Sequence, residues 1–141
     1  PETMRRRRQQ PDQTRPRTPA DCALAPFIMK AKSLLNKAVA DSGSDPIILL
    51  LRASSFAGFP GLFGTKDVGF ADFDVLLSVI SDPANASEFT GTATFGAQVL
   101  TNYALALEDN ERGDEAKAIW TRLQADYPDT PEAKVAEWKL K

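Results

Sequence analysis

The chain has 141 residues, 43% of them hydrophobic, and a formal net charge of −2, the profile of one globular domain able to bury a core without covalent staples. It contains no histidine and one cysteine, Cys22, which removes the commonest general base and zinc ligand and excludes an internal disulfide. No apolar run approaches the ~20 residues needed to cross a bilayer as a helix, so no transmembrane segment is expected.

Charge is unevenly distributed. Residues 1–21 hold six arginines against Glu2, Asp12 and Asp21, whereas residues 22–141 hold eleven basic and sixteen acidic residues. From Arg5 to Pro19 there is no aliphatic or aromatic side chain to bury, and Pro11, Pro16 and Pro19 remove helix donors. We therefore expect a disordered basic arm over 1–21. It reads either as an electrostatic contact for nucleic acid or an anionic surface, or as a linker or cloning remnant. The absence of interleaved aromatics for base stacking speaks against nucleic acid.

From Ala20 onward, Leu24, Phe27, Ile28, Ala31, Leu34, Leu35, Ala38 and Val39 recur at helical spacing, predicting a first helix to about Asp41. Gly43 then supplies a left-handed stop, Asp45 a cap and Pro46 a first-turn residue for a second helix to about Ala57. The run Ile47 to Leu51 is also compatible with a buried strand, but the sequence offers it no partner strand. Glycines and a proline over 58–64 break the pattern, and a third helix follows from Lys66 or Asp67 to Ser81. A fourth is expected over 92–109, a fifth over 113–126, and a sixth from Pro131 with Thr130 as its cap.

The segment Gly113-Asp114-Glu115-Ala116 through Tyr127-Pro128, with Ala133 and Ala136 beyond, resembles the tetratricopeptide-repeat family. With Pro128 as the terminal proline, Ala116, Trp120 and Leu123 fall on second-helix positions, and Leu100, Tyr103, Ala104 and Leu107 on first-helix positions. The likeness covers residues 97–141. Carried back to Pro83, 45 residues earlier, the same frame sets Ala71 and Val75 in register. The resemblance implies an all-α fold of stacked antiparallel helix pairs, a right-handed solenoid of about six helices over 22–141. The Gly-Asp-Glu-Ala and Tyr-Pro-Asp-Thr runs are similar to bacterial cell-envelope members, which implies a periplasmic or envelope location.

Enzymatic signals are weak, and neither cofactor nor metal is expected. Cys22 stands beside Asp21, whose charge raises a thiol pKa, and Ser54-Ser55 has no evident base. The order Gly64-Thr65-Lys66 is not that of a phosphate loop. Neither Asp67-Asp72-Asp74 nor the acidic run near Asp109 has the ligand spacing of a calcium loop.

The expected function is therefore a non-enzymatic scaffold that holds a peptide or extended protein segment in a helical groove. Gln98, Thr101, Asn102 and Leu105 of the fourth helix are candidates to face it, joined by Arg52 and Ser55 of the second. The alternative is an adaptor acting through the arginine arm. Phe59 and Phe63 around the glycine loop are read either as core or as a partner anchor, and Trp138 with Leu140 as a surface for self-association.

Overall fold

The computed structural model describes residues 19–85 and 93–141. The expected arm up to residue 18 and the segment 86–92 lie outside the described residues. Within them the chain is all-helical, with no strand: α1 (Pro19–Asp41), α2 (Pro46–Gly58), α3 (Lys66–Ser81), α4 (Ala93–Asp109), α5 (Gly113–Asp126) and α6 (Pro131–Leu140). Helix α1 thus begins inside the stretch assigned to the arm, at Pro19. No described helix is long and apolar enough to cross a membrane.

Local chemistry sets the helix ends. Gly43 and Ser44 take positive φ after α1, and Gly64 does so before α3. The Asp45 carboxylate accepts from the Ile47 and Ile48 amides and Pro46 fills the first turn, satisfying donors that a helix start leaves unpaired. Thr130 caps α6 in the same way, accepting from Ala133 N.

The glycine-rich connection folds back onto α2. It contains a short 3-10 turn, Gly61–Phe63, and the buried Thr65 hydroxyl donates to Phe56 O at 2.8 Å. Ala57 O accepts from Lys66 Nζ at 2.9 Å and from Asn110 Nδ2 at 3.1 Å. Carbonyls that the C-terminal turn of α2 would leave orphaned are thus satisfied by loop and neighbouring side chains. Phe63 is buried and Phe59 half-buried against Phe56, their ring centroids 6.0 Å apart. Phe63 is therefore part of the core and unavailable as the partner anchor its sequence context allowed.

Helices α2 and α3 pack closely, as do α4 with α5 and α5 with α6, while α2 touches α4 and α4 touches α6. Helix α4 thus meets α2, α3, α5 and α6. Helix α1 packs on α2. The core is continuous: one cluster surrounds Ala53, Phe73 and Leu76, another surrounds Leu100, Trp120 and Leu123, and Phe70, Leu77, Ile80 and Tyr103 pack against both. Full burial of a side chain such as Phe73 or Leu123 contributes about 2 to 3 kcal/mol.

The two central pairs share one spacing. Helices α2 and α4 begin at Pro46 and Ala93, and α3 and α5 at Lys66 and Gly113, an interval of 47 residues in each case. At that interval Gly69, Phe73 and Leu76 correspond to Ala116, Trp120 and Leu123, all buried. Leu50, Ala53 and Ala57 likewise correspond to the buried Ala97, Leu100 and Ala104. The 45-residue proline frame is corrected by this register: Ala71 and Val75, which it equates with Ala116 and Trp120, are both exposed. A proline marks where a helix ends, whereas burial marks which residues cross another helix, and the connection after α3 differs in length from that after α5.

Candidate interaction face

On α4 the buried residues Leu100, Ala104 and Leu107 face α5, while Val99 and Ala106 join the cluster built around α2 and α3. Glu108, on the opposite flank, accepts from Lys139 Nζ of α6 at 2.8 Å. What remains is the side away from α5, where Gln98, Thr101, Asn102 and Leu105 form one stripe at helical spacing. Gln98 and Leu105 are exposed, and Thr101 and Asn102 half-buried. The Thr101 hydroxyl donates back to Ala97 O at 2.8 Å, so its proton is engaged within its own helix.

The stripe extends onto both neighbouring helices. At the 47-residue interval Leu51 corresponds to Gln98 and Ser55 to Asn102; Leu51 is 55% exposed, as is Ile47 one turn before it at 63%. On α6 the core takes Ala133 and Ala136, and Lys139 reaches Glu108, which leaves Val135 and Trp138 on the outer side, Trp138 at 70% exposure. Polar side chains on α4 and apolar ones on α2 and α6 thus remain outside the core.

Arg52 does not belong to this surface. Its guanidinium makes two hydrogen bonds to Asp72 of α3, at 2.7 and 2.8 Å, and a third to Asn36 of α1 at 3.3 Å. The bonds to Asp72 raise the Arg52 pKa above its ordinary value, against a smaller opposing effect of burial. The pair is mostly enclosed, Asp72 more than Arg52, so the guanidinium holds α1, α2 and α3 together. Sequence spacing could place Arg52 on α2 but could not reveal the carboxylate twenty residues away that engages it.

A second polar set fixes α6. Glu108 accepts from Trp120 Nε1 of α5 at 2.9 Å as well as from Lys139. Burial works to raise the Glu108 pKa, but these two bonds outweigh it and hold the carboxyl below its usual value. Arg112, at the α4–α5 turn, lies over the Phe70 ring of α3 at 4.6 Å, a cation–π contact between α3 and the start of α5.

Sequence reasoning did not single out Ile47, Leu51 or Val135 as exposed, whereas it did read Trp138 as an apolar surface. The signal was present as apolar residues off the main stripe of each helix, but only the packing shows that they stay exposed. Among the described residues no group of three or more acidic, cysteine or histidine side chains is gathered as a metal site. No protein-family model matches the chain, and neither a curated protein nor a solved structure shows significant similarity to it.

Proposed function

We propose that the chain is a non-enzymatic interaction scaffold of the tetratricopeptide-repeat kind, binding a peptide or extended protein segment across α2, α4 and α6. The observation that carries this reading is that three helices in successive contact, α2, α4 and α6, leave Ile47, Leu51, Leu105, Val135 and Trp138 exposed beside the polar Gln98 and Asn102. Exposed apolar side chains with a few polar groups among them suit recognition of an extended chain, whose backbone needs donors and acceptors and whose side chains need apolar surface to cover. The 47-residue interval between the α2–α3 and α4–α5 pairs supports a stacked-repeat architecture, longer per repeat than the family's 34 residues.

The two tryptophans make the proposal measurable, because Trp120 is buried and Trp138 exposed. Peptides would be selected from a random library against the intact chain and then titrated, following tryptophan emission. Occupancy of the face shifts the Trp138 contribution to the blue and leaves a Trp138→Phe variant silent. Leu51→Ser and Gln98→Ala should each weaken the selected peptides without lowering the melting temperature, since exposed substitutions typically change stability by under ~0.5 kcal/mol. Peptides that bind all of these variants equally well reject the face.

A further inference from the structure

Helix α1 is apolar on more than the side that packs. Val39 enters the core cluster, Asn36 bonds Arg52, and Lys32 Nζ donates to Phe63 O at 3.1 Å, which marks the side turned to α2 and the fold-back loop. Leu24, Phe27, Ala31 and Leu34 form a separate stripe, spaced three, four and three residues apart, the repeat that keeps one seam along a helix. Ala31 is half-buried, whereas Leu24, Phe27 and Leu34 are each more than half exposed. Lys30 and Lys37, seven residues apart and both exposed, flank this seam on one edge.

Helix α3 carries a second seam of the same spacing and the opposite charge. Its buried side holds Gly69, Phe73 and Leu76. On the outer side Val68, Ala71, Val75 and Ser78 repeat the spacing of three, four and three, and all are exposed, Val75 at 51%. Asp67 and Asp74, again seven residues apart and exposed, flank them on one edge. The other edge holds Asp72, which is buried and bound to Arg52.

From this match of spacing and charge we infer that the chain associates with a second copy of itself, α1 of one copy lying antiparallel on α3 of the other. In that alignment Phe27 meets Val75, Ala31 meets Ala71 and Leu34 meets Val68, so that larger side chains face smaller ones around a close centre of two alanines. The same alignment sets Lys30 beside Asp74 and Lys37 beside Asp67. Lys37 gives up only the exposed pair it makes with Asp41, which contributes little. Like helices fit worse: two α1 seams laid antiparallel bring lysine to lysine, and two α3 seams bring aspartate to aspartate. A parallel arrangement turns the lysine edge away from the aspartate edge. Because the two seams are different surfaces of one chain, the contact is heterologous and repeats head to tail. The inference concerns α1 and α3 and does not rest on the peptide-binding reading of α2, α4 and α6.

The test is sedimentation of the full chain at low salt from about 5 to about 300 μM, because a single helix-on-helix seam is small and its association weak. The weight-average mass is expected to rise with concentration above that of the 15.4 kDa monomer. Lys30→Asp and Asp74→Lys should each keep the chain monomeric, since each sets like charges against one another. Mixing the two variants in equal amounts should restore association, because each then supplies the charge that the other lacks. Phe27→Ser and Val75→Ser should each move association to about tenfold higher concentration with the melting temperature of the dilute chain unchanged. A chain that stays monomeric across this range overturns the inference and leaves the two seams to other proteins. So does association that both charge reversals leave intact, which would place the contact elsewhere, or a mixture of the two variants that stays monomeric.

Discussion

Gly69 of α3 lies directly against Ala57 of α2: a methyl group on Gly69 would stand 2.7 Å from the Ala57 nitrogen and 3.0 Å from Ala53 O. Both neighbours are backbone, so they cannot move without displacing α2. A Gly69→Ala substitution gains about 1 kcal/mol of helix propensity, yet the steric conflict should leave it destabilising by about 2 kcal/mol or more. Equilibrium denaturation measures it. A neutral result would show that the two helices separate easily.

Gly96 offers a contrast at another close approach. A methyl group there would meet the Tyr127 hydroxyl oxygen at 2.0 Å and its ring carbons just beyond, atoms at the free end of a side chain. Gly96→Ala should expel the Tyr127 ring and cost about 1 to 2 kcal/mol. In a Tyr127→Ala background the same change should be neutral or slightly stabilising, so a double-mutant cycle isolates the clash.

The Arg52–Asp72 pair should behave as a buried ion pair. Arg52→Ala leaves the Asp72 carboxylate enclosed without its partner and should cost about 3 kcal/mol. Replacing the pair by methionine and leucine should recover most of that loss, because no charge remains uncompensated. Thermal unfolding of the single and double variants distinguishes this structural role from a peptide-binding one, in which stability would stay constant.

Glu108 makes the hold on α6 dependent on pH. Its carboxyl is held below the usual value in the folded chain, so it contributes stability above the unfolded-state pKa and loses that contribution as pH falls through the folded one. Glu108→Gln should therefore cost about 1 to 2 kcal/mol at neutral pH. The difference from the parent should vanish in acid, once the parent carboxyl is protonated. A penalty that stays constant across the titration would argue against an ionic role.

Phe63 and Phe59 should separate in their cost. Phe63 is buried beneath the fold-back loop and Phe59 only half-buried, so Phe63→Ser should lose several kcal/mol and Phe59→Ser distinctly less. Equal losses would mean that the loop forms a single unit with α2.

The positions of the six helices were legible in the sequence because their signals are local. Gly43, Asp45 and Pro46 act within a few residues of themselves, as do Thr130 and Pro131, and apolar spacing along each segment reports a helix whatever it packs on. The stripe from Gln98 to Leu105 could be read for the same reason, since helical geometry alone puts those side chains on one side. What each side chain meets depends on another segment, and only the tertiary structure decided it. Arg52 looked free until α3 brought Asp72 to it, Phe63 was open to a core or an anchor reading until the loop folded over α2, and Leu51 and Phe27, which belong to apolar helical patterns, proved to be more than half exposed. The 47-residue register was hidden for a related reason: Gly69 and Ala116 differ in identity and share only their burial. Helix formation is encoded in neighbours along the chain, whereas burial and pairing are properties of residues that folding brings together.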